Sequence, residues 1–158
     1  MRNPVAGMIL LSALFAAQPA QGGPAEDATA VVTTTLDKFN GGDADAFVKA
    51  HREGALIIDE FAPFMWGGGG SAQRWLGDYG RDAERRGISG GRIDFGKPLQ
   101  ANSDGKTAYV VLPTTYRFKQ KDQKMAGSGS MTFIMEHDTD GWRISSWTYS
   151  GATPKPER

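Results

Sequence analysis

FNGGDADAFVKAHREGALIIDE, residues 39–60, is the stretch that decides the fold. An aromatic residue runs into two glycines, which stop a helix because glycine accepts the left-handed conformations a helix end requires. Asp43 follows as a side-chain cap for a second, shorter helix, DADAFVKAH, with Phe47 and Val48 on its buried side. Gly54 then opens a strand, ALIIDEF. Leu56 and Ile58 point one way and Ile57 and Phe61 the other, so both faces of this strand are covered. Alternation also places Asp59 with Ile57 and Phe61, and Glu60 with Ile58, which separates the two acids.

Upstream, Ala28, Val31, Val32, Thr35, Leu36 and Phe39 recur with helical period. Glu26 and Asp27 occupy that helix's first turn, where acids complement its dipole. Downstream, FAPFMW leads into GGGG at 67–70, and a third helix starts at Ser71. Its apolar stripe is Ala72, Trp75, Leu76, Tyr79 and Ala83, its far side is charged, and Gly87 stops it.

From residue 88 onward the pattern is that of antiparallel strands. The first spans 88–100, broken by Gly90 and Gly91. Turns at 102–105 (NSDG), around 121–124 and at 138–141 (DTDG) separate it from three more. Pro113 inside a strand predicts an edge or a bulge. Helices gather early and strands late, which excludes a doubly wound parallel sheet and gives an α+β fold whose curved antiparallel sheet wraps the helices around a pocket.

The 158-residue chain has equal numbers of basic and acidic residues and no cysteine. Balanced charge argues against a nucleic-acid surface; the absence of cysteine excludes disulfides and thiolate metal sites. The first 22 residues differ in kind. Arg2 precedes an apolar run at 8–17, MILLSALFAA, and small residues follow. This is the pattern of a cleaved secretory signal, too short for a span of ~20 residues. The expected organisation is a signal at 1–22, one domain at 23–151 and a polar, flexible tail at 152–158. The mature protein is expected to be secreted or periplasmic, without stable membrane insertion.

The run at 39–60, with its N-G-G-D break and A-x-x-x-D strand, resembles the opening of NTF2-like proteins, which include ketosteroid isomerase, scytalone dehydratase and the SnoaL-like cyclases. GWRISSWTYSG at 141–151 is similar to the last strand of many members. The resemblance implies a cone: a bent sheet around three helices, with a cavity at the wide end and dimers through the outer sheet face. It places Asp59 where the isomerase has its general base. The isomerase's oxyanion tyrosine would fall near Thr35, and its second oxyanion group, an aspartate, has no match in SGSMTFIME. Steroid isomerisation is therefore disfavoured. Dehydratase-like chemistry wants a His–Asp pair, and neither His51, on the second helix, nor His137 is placed in the cavity by sequence.

Trp66, Trp75, Tyr79, Tyr116, Trp147 and Tyr149 are the candidate pocket lining, for aromatic rings bring large apolar area and a polar handle. Burial would raise the pKa of Asp59 toward that of a useful base; its alternative is a strand-end carboxylate bonded to backbone N–H groups or to Arg74. The four glycines lack the GK[ST] of a phosphate loop. His137, Asp138 and Asp140 are read as turn chemistry, not a metal cluster. The resulting expectation is a small apolar ligand, no cofactor or metal, no nucleic acid and a homodimer. The alternatives are a cofactor-free isomerase, dehydratase or cyclase using Asp59, and an assembly module built on the outer sheet face.

Overall fold

A computed structural model describes residues 22–157; the signal-like segment lies outside the described residues, save its last residue. Three helices come first: α1 (Pro24–Asn40), α2 (Ala44–Lys49) and, after strands β1 (His51–Ile58) and β2 (Met65–Trp66), α3 (Ser71–Arg86). Strands β3 (Ile88–Phe95), β4 (Gln100–Ser103), β5 (Thr107–Gln120), β6 (Gln123–Asp138), β7 (Gly141–Gly151) and β8 (Lys155–Pro156) follow. Pro24 sits in the first turn of α1, where its missing N–H costs nothing. Asp43 accepts the N–H of Ala46 and caps α2. Gly87, at φ 64°, ends α3 in the left-handed region.

The strands form one curled sheet in the order β2-β1-β7-β6-β5-β3, with β4 also on β5 and β8 on β6. This is the expected α+β cone, with one correction: β1 pairs with β7 in parallel, so the sheet is mixed. Strand β1 also begins earlier than its sequence suggests. Gly54, at φ 76°, sits in an irregularity between His51 and Leu56 inside the strand. The helix α2 ends at Lys49, so His51 belongs to β1 and not to the helix.

Pro113 is neither at an edge nor in a bulge. It pairs with Ser130 in the middle of β5, at the gap where the other neighbour changes from β4 (Gln100 opposite Val111) to β3 (Phe95 opposite Thr114). A residue without an N–H fits a gap in the ladder. The β5–β6 hairpin turns on Lys121 and Asp122, both at positive φ, as a two-residue loop matching strand twist requires. The polar tail lies along β6: Met125 pairs with Pro156, and Glu157 donates its N–H to Lys124.

The core lies between the helices and the inner face. Val32 and Leu36 of α1 and Ile57 of β1 meet Val110 and Leu112 of β5, Phe133 and Met135 of β6, and Ile144 of β7, all essentially fully buried.

Candidate active site

At one end of this core the apolar contacts give way to an aromatic cavity of about 70 Å³, room for roughly five waters or one ring of similar size. Trp75 of α3 is its hub. Its ring stacks on Tyr79 at 5.3 Å and on Phe47 at 5.4 Å, and meets Trp147 edge-on at 5.1 Å. Trp75 and Tyr79 are one helical turn apart, so both face inward. Phe39, at the end of α1, packs against Phe47 and Tyr79. Tyr116 enters from β5 and Tyr149 from β7.

Asp59 follows the last residue of β1 and lines this cavity. Its Oδ1 accepts the N–H of Glu60 at 2.7 Å and its Oδ2 accepts the indole N–H of Trp75 at 3.0 Å. Burial is the largest influence on its carboxyl and pushes the pKa up to about 6; the nearby acids Glu60 and Asp82 push the same way, and the two hydrogen bonds oppose. Arg74 does not neutralise it. The Arg74 guanidinium reaches back to the carbonyls of Gly67 and Gly69. The glycine loop thus presents carbonyls to a cation, the reverse of a phosphate cradle.

Tyr79 and Tyr116 join their hydroxyls at 2.8 Å across the cavity wall. Desolvation raises both phenols above their ordinary value, so both stay protonated at neutral pH. Gly91 makes the arrangement possible: a Cβ there would lie 2.2 Å from the Tyr79 oxygen and 2.8 Å from that of Tyr116.

Trp75, Tyr79, Tyr116, Trp147, Tyr149 and Asp59 thus line one cavity. Trp66 does not. It is buried behind Phe61, ring centroids 5.0 Å apart, and donates its N–H to Asp78 at 2.8 Å. The period-two separation of Asp59 from Glu60 fails as well. The strand stops at Ile58, alternation stops with it, and Glu60 and Asp82 join Asp59 along the cavity, with Arg86 beside them bonded to Asp82 at 3.2 Å. Thr35 is spent on its own helix, donating to the carbonyl of Val31. His137 packs edge-on against Trp142, and Asp138 accepts the N–H of Asp140 within the turn.

Sequence reading missed His51. The imidazole is buried, its Nδ1 bonded to the carbonyl of Phe47 at 2.8 Å and its Nε2 to the indole N–H of Trp147 at 3.0 Å. Burial lowers its pKa to about 4. It stands behind the wall and braces Trp147. Thr114, buried on β5 and lining the cavity, was missed too. The visible signal was parity, for Thr114 shares its strand face with Leu112 and Tyr116.

A curled sheet over three helices, with a largely desolvated carboxylate among aromatic walls, defines an α+β cone with a cavity at one end of its core. The family model of the SnoaL-like domain matches residues 28–154, and the chain belongs to that family. No curated protein matches the sequence. Among solved structures, hexachlorocyclohexane dehydrochlorinase LinA-type3 from Novosphingobium barchaimii LL02 superposes with a TM-score of 0.69 at 9% identity, covering 84% of this chain and 88% of that one. A putative scytalone dehydratase from Novosphingobium aromaticivorans gives 0.66 at 7% identity, covering 84% and 87%. A ketosteroid isomerase-like protein from Erwinia carotovora atroseptica gives 0.65 at 14% identity, covering 85% and 100%. Likeness at such identities establishes the shared fold.

Proposed function

We propose that the cavity receives a small, mostly apolar ring compound and that Asp59 acts on it as a general base. The carrying observation is the state of Asp59: a carboxylate desolvated among aromatic rings, bonded only through an amide and an indole N–H, with its pKa raised to about 6. A base of that strength is ionised at neutral pH and still takes up a proton readily. Negative charge developing on a ligand oxygen would meet the Tyr79–Tyr116 pair, whose protonated phenols supply a hydrogen-bond donor. Returning the proton to another carbon completes an isomerisation; delivering it to a departing hydroxide completes a dehydration. The structural neighbours are named a dehydrochlorinase, a putative dehydratase and an isomerase-like protein, and those names denote reactions of this kind.

The test is exchange of the α-hydrogens of cyclohexanone in D2O. Exchange above the buffer rate that disappears in Asp59→Asn supports the base. Cyclohexanone bound equally by both proteins with no such exchange leaves a binding domain. That second reading draws on one observation: both oxygens of Asp59 already accept hydrogen bonds.

The domain is further proposed to be exported and to pair with a second copy through its outer sheet face. Export rests on the apolar run at 8–17 and the small residues after it; N-terminal sequencing of protein from the host's envelope fraction tests it. Pairing rests on two cross-strand rows, Ile58–Thr148–Thr132–Val111–Gln100 and Leu56–Ser146–Ile134–Tyr109–Asn102, neither with a charged residue. Solvent-facing sheet surfaces ordinarily carry charges of both signs.

A further inference from the structure

Thr114 is a buried hydroxyl with nothing to bond. Its relative exposure is 5%, it lines the aromatic cavity, and its Oγ1 has no hydrogen-bond partner among the described residues. Its position explains why. It lies on the inner face of β5 at the gap beside Pro113, opposite Phe95 on one side and Gly129 on the other. Neither cross-strand neighbour has a polar side chain. The cavity wall also includes the apolar Leu36, Ile93 and Met131.

A threonine is nearly the shape of a valine, and valine here would avoid the cost of leaving a hydroxyl unpaired away from water. Buried polar groups in native proteins find partners, and an exception calls for an explanation. Asp59 is engaged by Glu60 and Trp75, and Tyr79 and Tyr116 by each other. Glu60 and Arg86 are exposed and mark the mouth; Thr114, Leu36, Met131 and Trp147 are buried and mark the far side.

We propose that Thr114 is a specificity-determining residue that donates a hydrogen bond to an oxygen of the ligand at the inner end of the cavity. This rests on the small-molecule reading of the same cavity and deepens it. The ligand class becomes a compact ring carrying a carbonyl or ether-type oxygen, oriented with that oxygen toward Thr114 and the Tyr79–Tyr116 hydroxyl pair, Tyr116 standing two residues along the same strand face, and with the ring against Trp75. Thr114 acts by fixing this orientation and takes no part in proton transfer.

The experiment uses cyclohexanone and methylenecyclohexane, which differ in C=O against C=CH2 and are otherwise matched in shape. Affinities for both are measured by NMR titration at pH 8, where Asp59 is ionised and accepts hydrogen bonds without donating any. The wild-type ratio of ketone to alkene affinity is the reference, since the two probes differ in hydration as well as in the hydrogen bond. Thr114→Val is expected to lower the ketone-to-alkene affinity ratio roughly five- to tenfold relative to wild type while leaving methylenecyclohexane affinity unchanged, and Thr114→Ser to retain the wild-type ratio. The melting temperature of Thr114→Val should equal or exceed that of wild type, since the unpaired hydroxyl is gone. A ratio unchanged by Thr114→Val overturns the assignment and leaves the cavity reading standing. A loss of both probes in Thr114→Val and Thr114→Ser alike makes the role one of packing and also overturns it. Failure of wild type to bind either probe overturns the cavity reading, and the assignment with it.

Discussion

The indole N–H of Trp147 points at Nε2 of His51, 3.0 Å away, and the carbonyl of Phe47 sits 2.8 Å from Nδ1 of the same ring. Nε2 must accept and Nδ1 must donate, which fixes the tautomer of a neutral imidazole. Protonation would turn Nε2 into a second donor facing a donor.

Nitrogen-detected NMR should therefore find His51 as the Nδ1–H tautomer, neutral down to about pH 4. The unfolded chain takes up its proton near pH 6.5. Stability from this residue is full above 6.5 and is lost as pH falls through the folded value, by up to roughly 3 kcal/mol. His51→Gln, whose amide can donate to Phe47 and accept from Trp147, should flatten that part of the pH–stability curve in urea titrations. An unchanged slope would contradict the assignment.

Asp59 has the opposite sign. Its folded pKa of about 6 lies above its ordinary 3.8, so its neutral form favours folding and stability is lost as pH rises from 3.8 through 6. Asp59→Asn should match wild type near pH 3.5 and exceed it by roughly 3 kcal/mol above pH 7. Carbon-detected titration of the carboxyl should show a midpoint near 6, and Trp75→Phe, by removing a donor to the charged form, should move it higher.

Gly129 carries a packing prediction. A Cβ there would lie 2.5 Å from the carbonyl oxygen of Ser150, 2.7 Å from Cα of Gly151 and 2.9 Å from the Tyr149 ring. Two of those contacts are backbone and cannot swing aside. Gly129→Ala should cost about 1–3 kcal/mol in chemical denaturation and shift the aromatic NMR signals of Tyr149. Gly105→Ala, with open space around its Cβ position but φ at 87°, should leave those signals in place.

Ile58→Glu tests the outer face. Ile58 is 42% exposed and pairs with Met65, itself 62% exposed. If the charge-free rows meet a second copy, sedimentation should show the dimer mass for wild type and the monomer mass for the variant, with melting of the monomer little changed. A wild type that sediments as a monomer at all concentrations would remove the proposal.

Periodicity exposed most of the fold. The helical spacing from Ala28 to Phe39, the stripe from Ala72 to Ala83 and the turns at 102–105 and 138–141 are local signals, and local signals survive in sequence. Asp59 and most of the aromatic lining were legible because rings and acids on inward faces had to converge in a cone. What escaped depended on contacts far apart in the chain. His51 reads as the end of a helix because only its bond to Trp147, 96 positions on, makes it part of the wall's support. Trp66 faces Asp78 instead of the cavity because Phe61 already fills the intervening space. Glu60 reached the cavity because a strand ended one residue before Asp59, and strand ends are poorly marked by composition. Gly91 reads as a break in its strand, yet it leaves the room that the Tyr79 and Tyr116 hydroxyls occupy.

Strand β7 follows β1 and β6 in the chain and lies between them in the sheet, with Ile57 beside Trp147 and Trp147 beside Phe133. Until it is made, β1 is joined only to the short β2, and the aromatic faces of α2 and α3 look toward a wall that has no centre. Such non-local closure is slow, because chain entropy is surrendered before the contacts that repay it form. Residues up to Asp138 therefore precede in the chain the strand that completes their sheet. The cavity wall thus acquires its middle only when β7 is seated.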